Sequence, residues 1–348
     1  PVHLILFFYH PKVPAQTALL MDILNQFDEI PLLLVTGVST ALDVTGLLGL
    51  GVTSVFSLPL ESQAVLDKSV ARHVRHAKLF FDNRWYRQQL EQANQRLNNS
   101  LAELERDQQA GRLMQQRLMP AEETKLEGLT IRRHMRSSLY LSGDCVDHVK
   151  LPDGRVLFYL ADVSGHGASS AILTILLKSL TRSILADKQL EQGQSVVVEE
   201  IMSRLNQEIL DFDVDKHLTM FMGLISADCS TLSYCVGGHY PMPVLCQEQQ
   251  LDYLPGLGSS FPLGLFEGAE YKSFQHSLAP GFVLLLCSDG VLEVLPKQPE
   301  VNQEVILLDI LRDRGCDIAG MVTGLQLDKL SQLPDDIAIL SIEGNKHE

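Results

Sequence analysis

The sequence predicts a multidomain chain: an α/β fragment at the start, a long α-helical linker, and an α+β domain built as a β-sandwich flanked by helices. Three observations carry that expectation. Strand-length apolar runs alternate with helical stretches over residues 1–60. Residues 61–119 hold no proline and a single glycine. From residue 120 onward, strand-like runs outnumber helical ones. With 348 residues the chain is too long for one ordinary core, and length alone suggests about two domains.

Residues 1–60 read as strand His3–Phe8, a helix near Thr17–Phe27, strand Pro31–Thr36, a helix around Ala41–Leu50 and a short strand Ser54–Leu58. Strands alternating with helices are βαβ material and imply a parallel sheet. The segment resembles the second half of a response-regulator receiver domain. Leu32–Thr36 resembles the strand carrying that family's Ser/Thr, and Leu47–Pro59 resembles its Gly-rich segment running to a Lys-Pro pair. Phe8 stands about where the phosphoacceptor Asp belongs, and Leu58 replaces the lysine before Pro59. A degenerate, N-terminally incomplete receiver-like domain is therefore expected over residues 1–60, docking or dimerising rather than accepting phosphate by the usual chemistry.

Residues 61–119 are rich in Gln, Leu, Arg, Glu and Ala, strong helix formers, and would reach about 85 Å as one continuous helix. Leu90, Leu97, Leu104 and Leu118 keep a seven-residue register, with Leu101 at one intervening position; Asn94, Gln108 and Gln115 occupy others and make the seam leaky. Two readings stand side by side: a coiled-coil signalling linker that forms a parallel homodimer, or a helix packed on its own domains.

Residues 120–348 alternate strand-like runs (129–133, 156–160, 218–225, 232–235, 244–246, 282–287, 337–342) with helical stretches near Ala168–Ala186 and Val196–Asp211. A further helical section lies between Gln303 and Leu330. Turn residues such as Pro152-Asp153-Gly154 and Gly237-Gly238 favour antiparallel pairing and two packed sheets.

Four acidic stretches at the ends of these runs carry the chemistry: Gly143-Asp144-Cys145-Val146-Asp147, Ala161-Asp162-Val163-Ser164-Gly165-His166-Gly167, Ser288-Asp289-Gly290 and Pro334-Asp335-Asp336. Carboxylates where strands enter or leave a sheet, with glycines that let main-chain carbonyls approach, suit an all-oxygen shell for hard divalent cations. Taken alone, Asp144 and Asp147 also read as loop carboxylates and Asp289-Gly290 as a turn. Gly165-His166-Gly167 before a helix could cradle a phosphate, although it lacks the Gly-Lys-Ser/Thr ending of a P-loop. His166 is a candidate proton donor or a loop histidine, and His239 a turn histidine near the site.

The ordered set Gln115-Gln116-Arg117-Leu118-Met119-Pro120, Ser142-Gly143-Asp144-x-x-Asp147, Ala161 to Gly167, Gly237-Gly238-His239-x-Pro241, Pro262-Leu263-Gly264, Ser288-Asp289-Gly290-x-x-Glu293 and Asp335-Asp336 resembles the SpoIIE-type branch of the metal-dependent PPM (protein phosphatase 2C-like) family over residues 120–348. The whole layout also resembles the RssB-type regulators of the stationary-phase sigma factor. The resemblance implies that Asp162 bridges two Mg²⁺ or Mn²⁺ ions, with the carbonyl of Val163 on one of them. It further implies that Asp144 serves the second ion and Asp289 and Asp335 the first, with Asp336 the alternative to Asp335. Asp162 and Asp289 would then govern a metal-held water. Hydrolysis of phosphoserine or phosphothreonine on a regulatory protein is the implied activity, an anti-sigma antagonist of the STAS type the implied substrate. The RssB likeness implies instead a non-catalytic adaptor that binds a sigma factor and delivers it to a protease.

Composition narrows the partners. A formal charge of −15 argues against a nucleic-acid backbone. Six cysteines without Cys-x-x-Cys or zinc-ligand spacing read as buried thiols, and the absence of a His/Cys cluster favours Mg²⁺ or Mn²⁺ over zinc. Neither a secretory signal nor an apolar run approaching the roughly 20 residues of a bilayer span is seen, so a cytoplasmic protein without membrane contact is expected.

Overall fold

A computed structural model describes residues 2–37, 43–60, 62–165, 167–190, 196–213, 215–256, 260–296 and 302–345. The chain divides into two compact units, Pro1–Glu103 and Leu104–Glu348.

In the first unit, β1 (Ile5–Phe8), α1 (Pro14–Gln26), β2 (Leu32–Thr36), α2 (Val44–Gly49) and β3 (Ser54–Ser57) succeed one another. The sheet order is β1-β2-β3 with both pairs parallel, as the alternation predicts. Every residue of β2 is buried, the expected state of a central parallel strand covered on both faces. Leu20, Leu32, Leu34 and Val52 form its core. The start of the helix expected from Ala41 lies outside the described residues; Asp43 caps α2 by accepting the Gly46 N–H at 2.8 Å.

Helix α3 (Gln63–Leu118) is continuous over 56 residues. Leu90, Leu97, Leu101 and Leu104 are all exposed along it.

The second unit continues with β4 (Glu123–Leu126), β5 (Leu129–Arg136), β6 (Asp144–Lys150), β7 (Val156–Val163), α4 (Ala168–Leu190), α5 (Val198–Asp211), β8 (Leu218–Ile225), β9 (Thr231–Gly237), β10 (Val244–Gln247), β11 (Gln250–Tyr253), β12 (Ser273–Ser277), β13 (Val283–Cys287), α6 (Gly290–Glu293), α7 (Gln303–Arg314), α8 (Ile318–Gly324) and β14 (Ile337–Gly344). Two antiparallel sheets result, ordered β11-β10-β13-β14-β5-β4 and β12-β9-β8-β7-β6.

Period-two alternation in buried strands builds the layers. Val156, Phe158 and Leu160 of β7 face the other sheet and meet Ile131, Phe221, Tyr234 and Leu340. Leu157, Tyr159 and Ala161 face the opposite way, toward Leu173 and Leu177 of α4 and Ile201 and Leu205 of α5. On the far side, Leu285, Cys287, Ile337 and Ile339 pack against Leu307, Leu311 and Met321 of α7 and α8. The result is a sandwich with helices on both outer faces. An aromatic stack crosses four neighbouring strands, with ring centroids 6.3 Å apart for Phe158–Phe221, 5.3 Å for Phe221–Tyr234 and 5.4 Å for Tyr234–Phe274.

One sequence expectation needs correction. Ala168–Asp187 is long and apolar enough to cross a membrane. Its Leu173, Leu177, Ile184 and Leu185 are instead buried in the core over the five-stranded sheet. All six cysteines are free; Cys145, Cys235 and Cys287 are buried and the other three half-buried.

Candidate metal centre

Because the sheets are antiparallel, the start of β6, the end of β7, the end of β13 and the start of β14 fall at one end of the sandwich. Asp144 opens β6 and stands directly opposite Asp162 near the end of β7. Like charges opposite one another on a sheet are destabilising, so this pair is not there for stability. Asp289 comes after β13 at the entry to α6, and Asp335 and Asp336 precede β14.

Two hydrogen-bonded links tie the sheets together here. The Ser288 hydroxyl donates to Asp144 Oδ2 at 2.7 Å and accepts the Ala338 N–H at 2.9 Å. The Gly143 N–H donates to Asp336 Oδ2 at 2.7 Å. Two glycines permit the close packing: a Cβ on Gly143 would lie 3.0 Å from the Val163 carbonyl oxygen, and one on Gly290 would collide with the Asp336 carbonyl.

The adjacent aspartates differ in what they do. Asp336 is buried, and its Oδ1 accepts both the backbone N–H (2.6 Å) and the hydroxyl (2.8 Å) of Ser138. With Oδ2 on Gly143, both of its oxygens hold the 138–143 loop. Asp335 is exposed, and its Oδ1 accepts the Asp336 N–H at 2.8 Å.

Electrostatics mark the cluster as short of positive charge. Burial first, then Asp162, holds the Asp144 carboxyl well above the usual range, against the Ser288 hydrogen bond that lowers it. Asp162 is pushed up to about 7 by burial and then by Asp289, Asp335 and Asp336. Asp289 is open to solvent on one side; partial burial and then Asp335 raise it. Among the described residues, no Lys, Arg or His offsets the charge at any of the three. Nor is any group of three or more His, Cys, Asp or Glu side chains among them closed into a ready-made cage. The donor set nevertheless fits hard divalent cations: carboxylates that repel one another at one end of the sandwich, with main-chain carbonyls beside them.

Other sequence candidates take different places. Asp147 is 1% exposed and pairs with Lys178 at 3.2 Å and Arg182 at 3.6 Å, tying β6 to α4. His239 is buried against Phe221 and pushed down to about 4 by burial, so it is a neutral core imidazole at pH 7. His166 lies outside the described residues.

Two residues to which the sequence analysis gave no role at the site support it. Gln115 near the end of α3 is buried, and its amide donates to the Ser142 carbonyl (2.7 Å) and Thr174 Oγ1 (3.0 Å) while accepting the Ser142 N–H (3.1 Å). It therefore holds both backbone groups of the residue two before Asp144. A glutamine at a seam position that elsewhere favours leucine was the available signal. Lys216, just before β8, donates to the Ser164 carbonyl at 2.7 Å.

Comparison with known proteins agrees with this architecture. The chain is 28% identical to phosphoserine phosphatase RsbP of Bacillus subtilis over 53% of its length and 43% of the relative's. It is 26% identical to phosphoserine phosphatase RsbU of the same organism over 58% of each. It thus spans about half the length of these curated relatives. The solved SiaA-PP2C domain of Pseudomonas aeruginosa superposes with a TM-score of 0.56 at 17% identity, covering 71% of this chain and 99% of that one, so the fold is PP2C-like. Residues 152–345, more than half of the chain, match the family Stage II sporulation protein E (SpoIIE), and the chain belongs to that family.

Proposed function

We propose that the chain is a metal-dependent phosphoserine/phosphothreonine protein phosphatase acting in a sigma-factor partner-switching pathway. The observation that carries the reading is the convergence of Asp144, Asp162, Asp289 and Asp335 at one end of the sandwich, the first three with no basic side chain, among the described residues, to offset them. The names of the RsbP and RsbU relatives support the substrate chemistry.

In this reading two Mg²⁺ or Mn²⁺ ions are held by Asp162, Asp144, Asp289, Asp335 and the carbonyl of Val163. Asp336 stays on Ser138 and Gly143 and keeps the loop before Asp144 in place. When bound, paired divalent cations activate water near neutral pH and draw charge from a phosphoryl group. The protein's own residues do the positioning. Ser288 orients the Asp144 carboxylate, and Gln115 and Asp336 fix residues 138–143 from two sides. Exposed Asp289 and Asp335 leave the face open to a phosphorylated side chain on another protein.

The substrate in this reading is a phosphorylated anti-sigma antagonist of the STAS type. The exposed Leu90, Leu97, Leu101 and Leu104 of α3 support a second copy of the chain as its partner, paired in parallel along a seam that Asn94 and Gln108 interrupt. The test is release of phosphate from such a phosphoprotein with Mn²⁺ or Mg²⁺ by the full chain. Release only with the cation supports the proposal. Capture of a sigma factor with no release under any cation would replace it with the adaptor reading.

A further inference from the structure

The loop that comes after Asp162 and Val163 is fastened from outside by the segment leading into β8. The Ser164 N–H donates to the His217 carbonyl at 2.8 Å, and the His217 N–H donates to Ser164 Oγ at 3.2 Å. The half-buried Lys216 ammonium donates to the Ser164 carbonyl at 2.7 Å and to Ser170 Oγ at 3.2 Å. Ser170, fully buried in the first turn of α4, donates in turn to the Gly165 carbonyl at 3.0 Å and the Ser164 carbonyl at 3.3 Å. One ammonium and one hydroxyl thus hold two consecutive carbonyls of the strand-to-helix connection. Gly165, in the left-handed region at φ 73°, leaves room for the lysine, since a Cβ there would lie 3.0 Å from Lys216 Nζ.

Backbone peptides are rigid planes, and the Val163 carbonyl shares its plane with the Ser164 N–H that the His217 carbonyl accepts; Lys216 and Ser170 hold the next two carbonyls and so keep Ser164 from turning that plane. The Val163 N–H is held independently by the Gly143 carbonyl at 3.1 Å. The Val163 carbonyl therefore hangs between two restrained points, and Lys216 supplies the charged one. A surface lysine serving solubility would leave its ammonium in water; this one is turned inward onto the Ser164 carbonyl and the Ser170 hydroxyl.

We infer that Lys216 is a positioning residue for the metal centre: it presets the carbonyl of Val163, and with it the divalent-cation affinity, without touching substrate. The inference rests on the metal-centre reading above. Outer partners of metal ligands typically change affinity or activity by about 10–100-fold when removed. Lys216 should behave as one of them.

The test titrates Mn²⁺ by calorimetry into the full chain as wild type, Lys216→Met, Lys216→Arg and Ser170→Ala, beside metal-free melting curves. Lys216→Met keeps the aliphatic stem and removes the ammonium. Its Mn²⁺ affinity should fall about 10–100-fold, with a metal-free melting temperature near that of wild type. Lys216→Arg should recover most of the affinity, because a guanidinium can donate to the same carbonyl. If Lys216→Met melts too early to titrate, Ser170→Ala carries the test and should show the same direction of loss. Unchanged affinity in the titratable variants, with wild type binding Mn²⁺, would overturn the role of Lys216 alone. Wild type binding no Mn²⁺ would overturn the metal centre and this inference together.

Discussion

Asp144 and Asp162 face each other across the β6–β7 ladder as a directly opposed antiparallel pair. Either could have been a threonine or a valine had the sheet alone been at stake, because opposed carboxylates weaken a ladder. The pair sits where β13 and β14 deliver two more carboxylates, Asp289 and Asp335. The arrangement lowers the stability of the free protein, a cost that cations bound as in the proposed function would offset.

That trade has a pH signature. Asp162 is raised from the ordinary carboxylate range to about 7, so between about pH 4 and pH 7 the folded chain binds more protons at this site than the unfolded chain does. Its contribution to stability is fully present below pH 4 and is lost as pH rises toward 7. In EDTA, Asp162→Asn should therefore gain stability relative to wild type across this window, by roughly 2–4 kcal/mol at a little over 1 kcal/mol per pKa unit. Urea unfolding of both proteins at pH 4.5 and 7.5 measures it. A difference that does not grow with pH contradicts the site's electrostatics.

Ser288 bridges the two sheets through its hydroxyl, donating to Asp144 Oδ2 and accepting from Ala338. Ser288→Ala leaves a buried N–H and a buried carboxylate each short of a partner, at a cost of about 1–3 kcal/mol. A fall in Mn²⁺ affinity of about 10-fold or more should accompany it. Chemical denaturation and Mn²⁺ titration read the two effects separately.

Gln115 makes three hydrogen bonds from a buried position. Replacing it with Leu fills the volume but strands the Ser142 N–H and carbonyl, and should cost about 2–4 kcal/mol. Gln115→Glu, which keeps an acceptor for the Ser142 N–H, should cost energy too, since a buried carboxylate facing the Ser142 carbonyl is penalised. Thermal melts of both variants give the answer. Wild-type stability in Gln115→Leu would mean that the end of α3 is not clamped to the loop before Asp144.

Legibility in the residues alone depends on where each strand lies. Central strands with long apolar runs, such as Val156–Val163 and Ile337–Gly344, are legible because both of their faces are buried. The four strands without a clear sequence signal, β4, β6, β11 and β12, are the four edges of the two sheets. β4, β11 and β12 are short and half-solvated, so their sequences are polar and look like loops, whereas the first four residues of β6 are buried and its two aspartates break the apolar pattern. Those two, Asp144 and Asp147, therefore read equally well as loop carboxylates.

The proposed ligands are legible as an ordered motif set, and the structure gathers Asp144, Asp162, Asp289 and Asp335 at one end of the sandwich. The division of labour between Asp335 and Asp336 is not. Neighbouring identical residues differ only in which way each side chain points, and only the hydrogen bonds from Ser138 and Gly143 separate them. Lys216 carries no local signal because its partners, Ser164 and Ser170, are some fifty residues away in sequence.

The most direct measurement is hydrolysis of a phosphoserine peptide by the full chain with Mn²⁺ and with EDTA, beside Asp162→Asn and Asp289→Asn. Wild type should turn over only with Mn²⁺, and both variants should fall by at least about a hundredfold, the scale of losing a group that stabilises transition-state charge. Equal turnover in wild type and both variants, or turnover that persists in EDTA, would contradict a metal centre built on these aspartates.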